Sequence, residues 1–291
     1  MQASGGYESS PELVHRFEAL PGWQSMFPES LTGDALVMAT EIGAALRVVG
    51  NNLSIFLGFR NPEEASGGTA LCRLSATAEL TAPRTIVVNR HGHRFADESF
   101  FQAVAPRLRE FDARTREQPN LPCFLIFDAG YAKGQSFAGR APGREIPSWV
   151  LRATSLEALA IELRIDAEGL AATVQRFNED VRRGLDSEQR RGETPWGLAR
   201  FDPSTTLGPI EQPPFYGVRL HPTALSSAGV VADTEARVTH VRGHPIQGLY
   251  AVGNAAARTE TGSGYQTGFS LGSGLTFGLL AARGLALTMN S

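Results

Sequence analysis

Lysine is almost missing from this chain. Lys133 is the only one among 27 lysines and arginines, in 291 residues of formal net charge −3. The remaining positive charge is arginine, and it is not gathered into a basic stripe, which argues against a nucleic-acid-binding face. Together with the Ala and Gly richness, the bias reads as genome base composition rather than phosphate recognition. Cysteine is scarce too: Cys72 and Cys123 are the whole supply. Two cysteines make no disulfide scaffold and lack metal-ligand spacing, so the reading is a reducing compartment. No unbroken apolar run approaches the ~20 residues of a membrane span, and no signal-peptide pattern opens the chain. The expectation is a cytoplasmic protein without membrane contact. Repeats and low-complexity tracts are absent. A hydrophobic content of 42% over this length allows a sizeable core and a division into two lobes.

The most informative stretch runs from Leu249 to Ala282. A short buried-strand signal, Leu249 to Val252, meets the turn pair Gly253-Asn254 and a loop carrying Gly262, Gly264 and Gly268. A small-residue helix follows from about Leu271 to Leu287, with Leu271, Leu275, Leu279 and Ala282 at helical spacing and Ser270 or Ser273 as cap. Glycines let a backbone approach a flat or phosphorylated ligand, and the free N–H groups of a helix start turn a partial positive charge toward it. The same residues also suit tight packing of a helix on a sheet, and spacing alone leaves both readings open.

Elsewhere the patterns predict helices over Pro11 to Leu20, Asp34 to Val48, Leu156 to Leu163 and Asp166 to Arg183, the last capped by Asp166. Strands are expected at Leu53 to Phe59, Thr85 to Asn89, Leu121 to Asp128, Phe215 to Leu220 and Val230 to Asp233. A hairpin then leads into the Leu249 strand. Polar, Gly- and Pro-bearing links fall at 61–68 and 186–214. Trp23, Tyr131 and Tyr216 read as packing aromatics. His91 and His93 lack a nearby third ligand for a metal. Arg94 and Glu98, four apart, suit an ion pair at a helix start, and Arg258 with Glu260 a surface pair.

Three blocks carry a resemblance. Leu249–Arg283 is similar to the C-terminal flavin-binding segment of the fumarate reductase / 3-ketosteroid Δ1-dehydrogenase superfamily of FAD-dependent oxidoreductases. Val87-Val88-Asn89-Arg90-His91-Gly92-His93-Arg94-Phe95 with Glu98 resembles its VNRxGxRFxxE signature. Ala3-Ser4-Gly5-Gly6-Tyr7-Glu8 and Thr32-Gly33-Asp34 resemble its ASGGFE…TGDG. The blocks lie in the family's order and cover nearly the whole chain.

The resemblance implies FAD and hydride transfer on a small-molecule carbonyl substrate. It implies an α+β fold: an inserted α+β cap domain at 67–212, flanked by two pieces, 1–66 and 213–291, of an incomplete α/β FAD-binding domain. The family's GxGxxG half has no counterpart near the start, so residues 1–6 read as the tail of a strand beside the flavin. The missing half, or a homo-oligomer, is the expected partner. Carried over by position, the cofactor-binding residues are Gly5, Gly6, Gly253, Asn254, Gly272, Ser273, Gly274 and Leu275, and the catalytic candidates are Tyr265 and Gly268; His221, which precedes a cleft loop, is a third catalytic candidate read from the sequence alone. Gly268 matches the family's ketone-binding glycine. Tyr265 stands one place beyond the family tyrosine, whose position holds Gly264. His221 is a candidate proton donor or flavin contact.

Fumarate is not the expected substrate. The family's carboxylate-clamping arginine after the signature glutamate is Gln102 here, and an amide cannot replace a guanidinium bidentately. Ala78 and Thr81 replace the glutamate and arginine of Thr-Glu-x-x-Arg. Ala224 to Gly229 carries no histidine where the family has His-His-Thr-x-Gly-Gly. The expected chemistry is desaturation or reduction of a C–C bond next to a carbonyl. The alternative is a catalytically incomplete interaction module that self-associates and binds no flavin on its own.

Overall fold

The computed structural model describes residues 1–50, 52–62, 74–194, 202–258, 262, 264 and 268–289. The first elements are α1 (Pro11–Phe17), α2 (Asp34–Glu41), β1 (Leu46–Val48), β2 (Ile55–Phe59), β3 (Leu74–Ser75) and α3 (Thr77–Thr81). Next come β4 (Thr85–Asn89), α4 (Phe101–Leu108), β5 (Cys123–Asp128), α5 (Ala129–Gly134), β6 (Leu151–Ala153), α6 (Leu156–Leu163), α7 (Ala167–Arg182) and α8 (Pro203–Thr206). The chain ends through β7 (Phe215–Ala224), β8 (Ala228–Val230), β9 (Arg237–Thr239), β10 (Pro245–Tyr250) and α9 (Phe269–Met289). These elements form two compact units. Unit 1 is 1–20, 27–54 and 224–291; unit 2 is 21–26 and 55–223.

Unit 2 is built on a six-stranded sheet in the order β3-β2-β7-β5-β4, with β6 also paired to β7. β5 lies antiparallel between β4 and β7, opposing Ile126 to Ile86 and to Gly217. Alternate residues of these strands, Ile86, Val88, Phe124, Ile126 and Phe215, enter one core with Leu159 and Leu163 of α6 and Leu170, Val174 and Phe177 of α7. Both helices start on side-chain caps, Ser155 accepting from the Ala158 amide and Asp166 from the Glu168 amide. An aromatic group, Phe59, Phe127, Tyr131, Phe137, Trp149 and Tyr216, packs in the same unit, Phe127 and Tyr216 stacking at 5.0 Å.

A buried ion network closes unit 2. Arg94 donates to Glu98 at 2.9 Å and to Asp186 at 2.8 and 2.9 Å, with its guanidinium 5.0 Å from the centre of the Phe177 ring. Arg191, completely buried, donates to Glu98 at 3.2 Å and to the Thr85 carbonyl at 2.6 Å. The Arg94–Glu98 pair of the signature therefore exists, but not at a helix start as the spacing suggested. It lies in irregular backbone before α4, held by the remote Asp186 and Arg191.

Unit 1 is made of small pieces joined at long range. β1 pairs with β8 and β9 with β10, each antiparallel. Gln2 bridges Ala251 in parallel, and Val230 bridges Ala256. Ala39, Ala44, Val230, Val238 and Ala251 make one small core, and Ala236, Tyr250, Val252 and Ala281 another. Tyr7 is the polar pin. Its hydroxyl donates to Glu18 at 2.8 Å and accepts from the Ala228 amide at 3.0 Å, while Glu18 also takes the Ser227 amide.

The helix expected over Asp34 to Val48 ends at Glu41, and Leu46–Val48 is strand. Gly43 breaks it with φ +83°, and an added methyl there would come within 2.3 Å of the His240 ring. The last helix begins at Phe269, two residues before the expected start. Its stretch Phe269–Ala286 has a mean hydropathy of 1.2, enough by length and composition to cross a membrane. Interspersed Ser, Thr and Gly hide this from a search for unbroken apolar runs.

Candidate functional site

After strand β10 ends at Tyr250, the chain continues through the bridged Ala251 to Val252, whose amide donates to the Gln2 carbonyl at 3.0 Å. The chain then turns tightly at Gly253–Ala255, with Gly253 at φ +60°. Above this turn lies the start of α9, and the two glycines Gly253 and Gly274 face each other. A methyl on Gly253 would sit 3.9 Å from the Gly274 α-carbon, and a methyl on Gly274 would sit 3.8 Å from the Gly253 α-carbon. A methyl at either position would make only ordinary van der Waals contact, so turn and helix lie side by side without crowding.

A pocket opens at this junction, walled by Gly253, Asn254, Arg258, Phe269, Ser270 and Ser273. Its polarity comes from three sources. The first amides of α9 precede the first internal helix bond, from the Gly272 amide to the Gly268 carbonyl at 2.9 Å, so they point out of the helix start. Ser270 Oγ is buried and has no hydrogen-bond partner among the described residues. Arg258 is buried, donating to Asn52 Oδ1 at 2.8 Å and to Ser54 Oγ at 3.1 Å. Asp233 also lines the pocket. Burial alone would raise its pKa, but hydrogen bonds from Arg237 and from the Arg237 and Glu235 amides outweigh this and hold it below the usual value.

Two expectations are corrected here. Neither Ser270 nor Ser273 caps α9, because both lie inside the helix that Phe269 begins. Arg258 is no surface residue: its partners are some two hundred residues upstream, and no local pattern announces them. Glu260 lies outside the described residues.

Of the expected cofactor residues, Gly253, Asn254, Ser273 and Gly274 come together. Gly272 and Leu275 are on the same helix but exposed, Leu275 at 76%. Gly5 and Gly6 lie elsewhere in unit 1, where close packing explains both. A methyl on Gly6 would reach 1.9 Å from Ser226 Oγ, and one on Gly5, at φ +87°, 2.7 Å from Leu31 Cδ2. The neighbouring Glu8 carboxyl accepts from the Ser226 amide, and burial pushes its pKa up.

Among the catalytic candidates, Gly268 stands exposed at the head of α9 with φ +86° and open space around its α-carbon. Tyr265 lies outside the described residues. His221 belongs to unit 2. Its Nδ1 is 3.0 Å from the Gly22 carbonyl, which makes Nδ1 the protonated nitrogen and leaves Nε2 as acceptor. Burial, then Arg219 and Arg60, lower its pKa against the raising effect of that bond. No group of three His, Cys, Asp or Glu positioned for a metal occurs among the described residues.

Comparison with known proteins gives this geometry its context. The FAD binding domain family matches residues 1–274. The 4-oxocyclohexanecarboxylate 2-dehydrogenase of Sinomonas cyclohexanicum is 34% identical over 98% of this chain and 50% of its own length. A 3-oxosteroid 1-dehydrogenase of Mycobacterium tuberculosis is 32% identical over 98% of this chain and 52% of its own. The crystal structure of 3-ketosteroid delta1-dehydrogenase from Sterolibacterium denitrificans superposes with a TM-score of 0.82 at 27% identity, covering 98% of this chain and 52% of that one. The chain thus spans about half the length of the relatives it matches.

Proposed function

The chain belongs to the FAD binding domain family, within the fumarate reductase / 3-ketosteroid Δ1-dehydrogenase superfamily, and from that premise we propose that it is the flavin-edge and cap portion of a dehydrogenase acting next to a carbonyl. In this reading unit 1 supplies the flavin lobe piece and unit 2, which contains 67–212, the cap. The family's cofactor is FAD, and the residues present fit part of it. The observation that carries the reading is a pocket walled by the Gly253 turn and the head of α9 and holding the partnerless Ser270 hydroxyl. Asn254, Ser270, Ser273 and the first α9 amides would hold the isoalloxazine edge, where such amides stabilise negative charge. Because the family match runs into the first turns of α9, we read that helix as flavin-lobe structure, not as a membrane span.

FAD, when bound, supplies the hydride acceptor or donor. The chain's own contribution is polarisation of a ketone, with the Gly268 N–H and the Tyr265 hydroxyl as donors, which acidifies the neighbouring carbon. His221, whose ring the Gly22 bond orients with Nε2 as acceptor, is the candidate in unit 2 to hold a proton. An uncharged Gln102 in the first turn of α4 favours a ketone over a dicarboxylate. The dinucleotide-binding half comes from outside residues 1–291.

Two measurements test this. Ser273→Leu should fill the pocket and abolish flavin absorbance gained on FAD addition, while far-ultraviolet circular dichroism stays unchanged. A wild-type chain that gains no absorbance would count against flavin binding by this portion alone. For the chemistry, the protein joined to its dinucleotide-binding half should turn over 3-ketosteroids or 4-oxocyclohexanecarboxylate faster than it reduces fumarate; the reverse order removes the role given to Gln102. One observation favours the second reading, a self-associating module without flavin. Leu271, Leu275 and Leu279 form an exposed stripe along α9. A sedimentation shift to dimer in a flavin-free sample would select it.

A further inference from the structure

β5 bonds one edge of β7 from Phe215 to Leu220. The opposite edge changes partner: β6 takes Phe215–Gly217, and β2 is the other neighbour of β7 in the sheet. Where β6 begins, at Leu151 opposite Gly217, a groove of about 480 Å³ opens within unit 2, a size usual for small-molecule sites. Leu151 of β6, Trp149 and the edge of Phe124 give it an apolar floor.

Its rim is cationic. Arg60 follows the end of β2, Arg219 projects from β7, and Arg164 closes α6, against a single carboxylate, Glu162. The guanidinium groups of Arg164 and Arg219 have no hydrogen-bond or ion-pair partner among the described residues. Arg164 is also held at φ +58°, at a helix end where glycine is the unstrained choice. A long cation is thus kept at a position where the backbone would be better served without a side chain. Nearby His221 adds no counter-charge, since its ring is a neutral acceptor at best and never an anion.

We propose that this groove binds a small ring-bearing carboxylate, with the guanidinium groups of Arg164 and Arg219 on the carboxylate and the ring laid against Trp149 and Leu151. Planar guanidinium forks match a carboxylate bidentately, and an indole edge with an aliphatic neighbour takes a ring without demanding polar partners. Inorganic phosphate would satisfy the cations but leave the apolar floor in water. A neutral ring amide would do the opposite. The assignment stands on unit 2 alone and does not depend on flavin binding by unit 1.

The test is calorimetric titration of the 291-residue protein with benzoate and cyclohexanecarboxylate, using benzamide, phosphate and an oligoglutamate peptide as controls. Both carboxylates should bind at one site, with benzamide and phosphate weaker by about tenfold or more. Arg219→Gln should weaken benzoate about tenfold, and Arg219→Lys should recover part of the loss. Arg164→Gly should hold or raise the melting temperature while weakening benzoate, which separates a ligand role from a structural one. Both side chains are exposed, so folding is preserved and circular dichroism checks it. The proposal is overturned by equal binding of benzamide, by tighter phosphate or peptide binding, or by unchanged affinity in Arg219→Gln. Absence of benzoate binding up to ~10 mM overturns it as well.

Discussion

The two units hold themselves together by different means. Unit 2 packs branched and aromatic side chains on both a sheet and two capped helices, and locks them with four buried charges: Arg94, Glu98, Asp186 and Arg191. Unit 1 relies on alanines, glycines and single hydrogen-bonded pins, and it leaves Leu271, Leu275 and Leu279 at 75%, 76% and 53% exposure. A core of small residues buries less apolar area per position, so it gains less from water's exclusion. The same economy lets backbone reach backbone, as at Gly229, where a methyl would come within 2.5 Å of the Ala256 backbone. Unit 2 is arranged to be self-sufficient; unit 1 is arranged to be approached.

The contrast breaks hardest at Arg191. Arg191→Met removes one of the two guanidinium groups on Glu98 and the side-chain donor to the Thr85 and Ala82 carbonyls, and should cost about 3–5 kcal/mol in urea unfolding. A loss below ~1 kcal/mol would show that the network is ornamental to unit 2.

Titration adds a second contrast, because one buried acid of each unit, Asp186 in unit 2 and Glu8 in unit 1, shifts in the opposite direction to the other. Burial would raise Asp186, but bonds and charge from Arg94 with the Gln189 and Arg191 amides hold it below its usual value. Its stabilising share is therefore present above the unfolded carboxyl pKa, about 3.9, and is lost as pH falls through the depressed folded value. Glu8 of unit 1 is raised by burial, so its share is present at acid pH and lost as pH rises through the raised value. Asp186→Asn should cost roughly 2 kcal/mol near neutrality, with the penalty shrinking on acidification. Glu8→Gln should gain on wild type as pH increases. Parallel pH profiles for the two variants would contradict the opposed shifts.

The smallest effect belongs to the exposed stripe. Leu275→Glu should change unfolding stability by less than about 0.5 kcal/mol, as surface substitutions do. Its effect should appear instead as weaker uptake of an apolar dye and less self-association. Destabilisation beyond ~1 kcal/mol would mean that the stripe is already packed.

Much of unit 2 was legible in the sequence, because its elements are long enough for periodicity to speak. β4 falls on Thr85 to Asn89 as expected, α6 on Leu156 to Leu163, and α7 one residue inside its Asp166 cap. Unit 1 was less readable. The stop at Gly43 depends on His240, and the burial of Arg258 on Asn52 and Ser54, contacts that no window of neighbouring residues contains. At the pocket, glycine spacing located the turn and the helix, but not the arginine in its wall. Gly5 and Gly6 were visible as a motif, whereas the Leu31 and Ser226 contacts that demand their bareness were not.

Backbone bonds from the Gln2 amide to Tyr250 and from the Val252 amide to Gln2 splice the second residue of the chain into the strand that leads to the Gly253 turn. Trimming a handful of leading residues would therefore loosen a segment some 250 positions away, and amide exchange at Val252 should quicken before anything else in unit 1 responds. Residues 1 and 2 are thus a structural rail for the Gly253 turn, and any insertion beside them should be placed with that in mind.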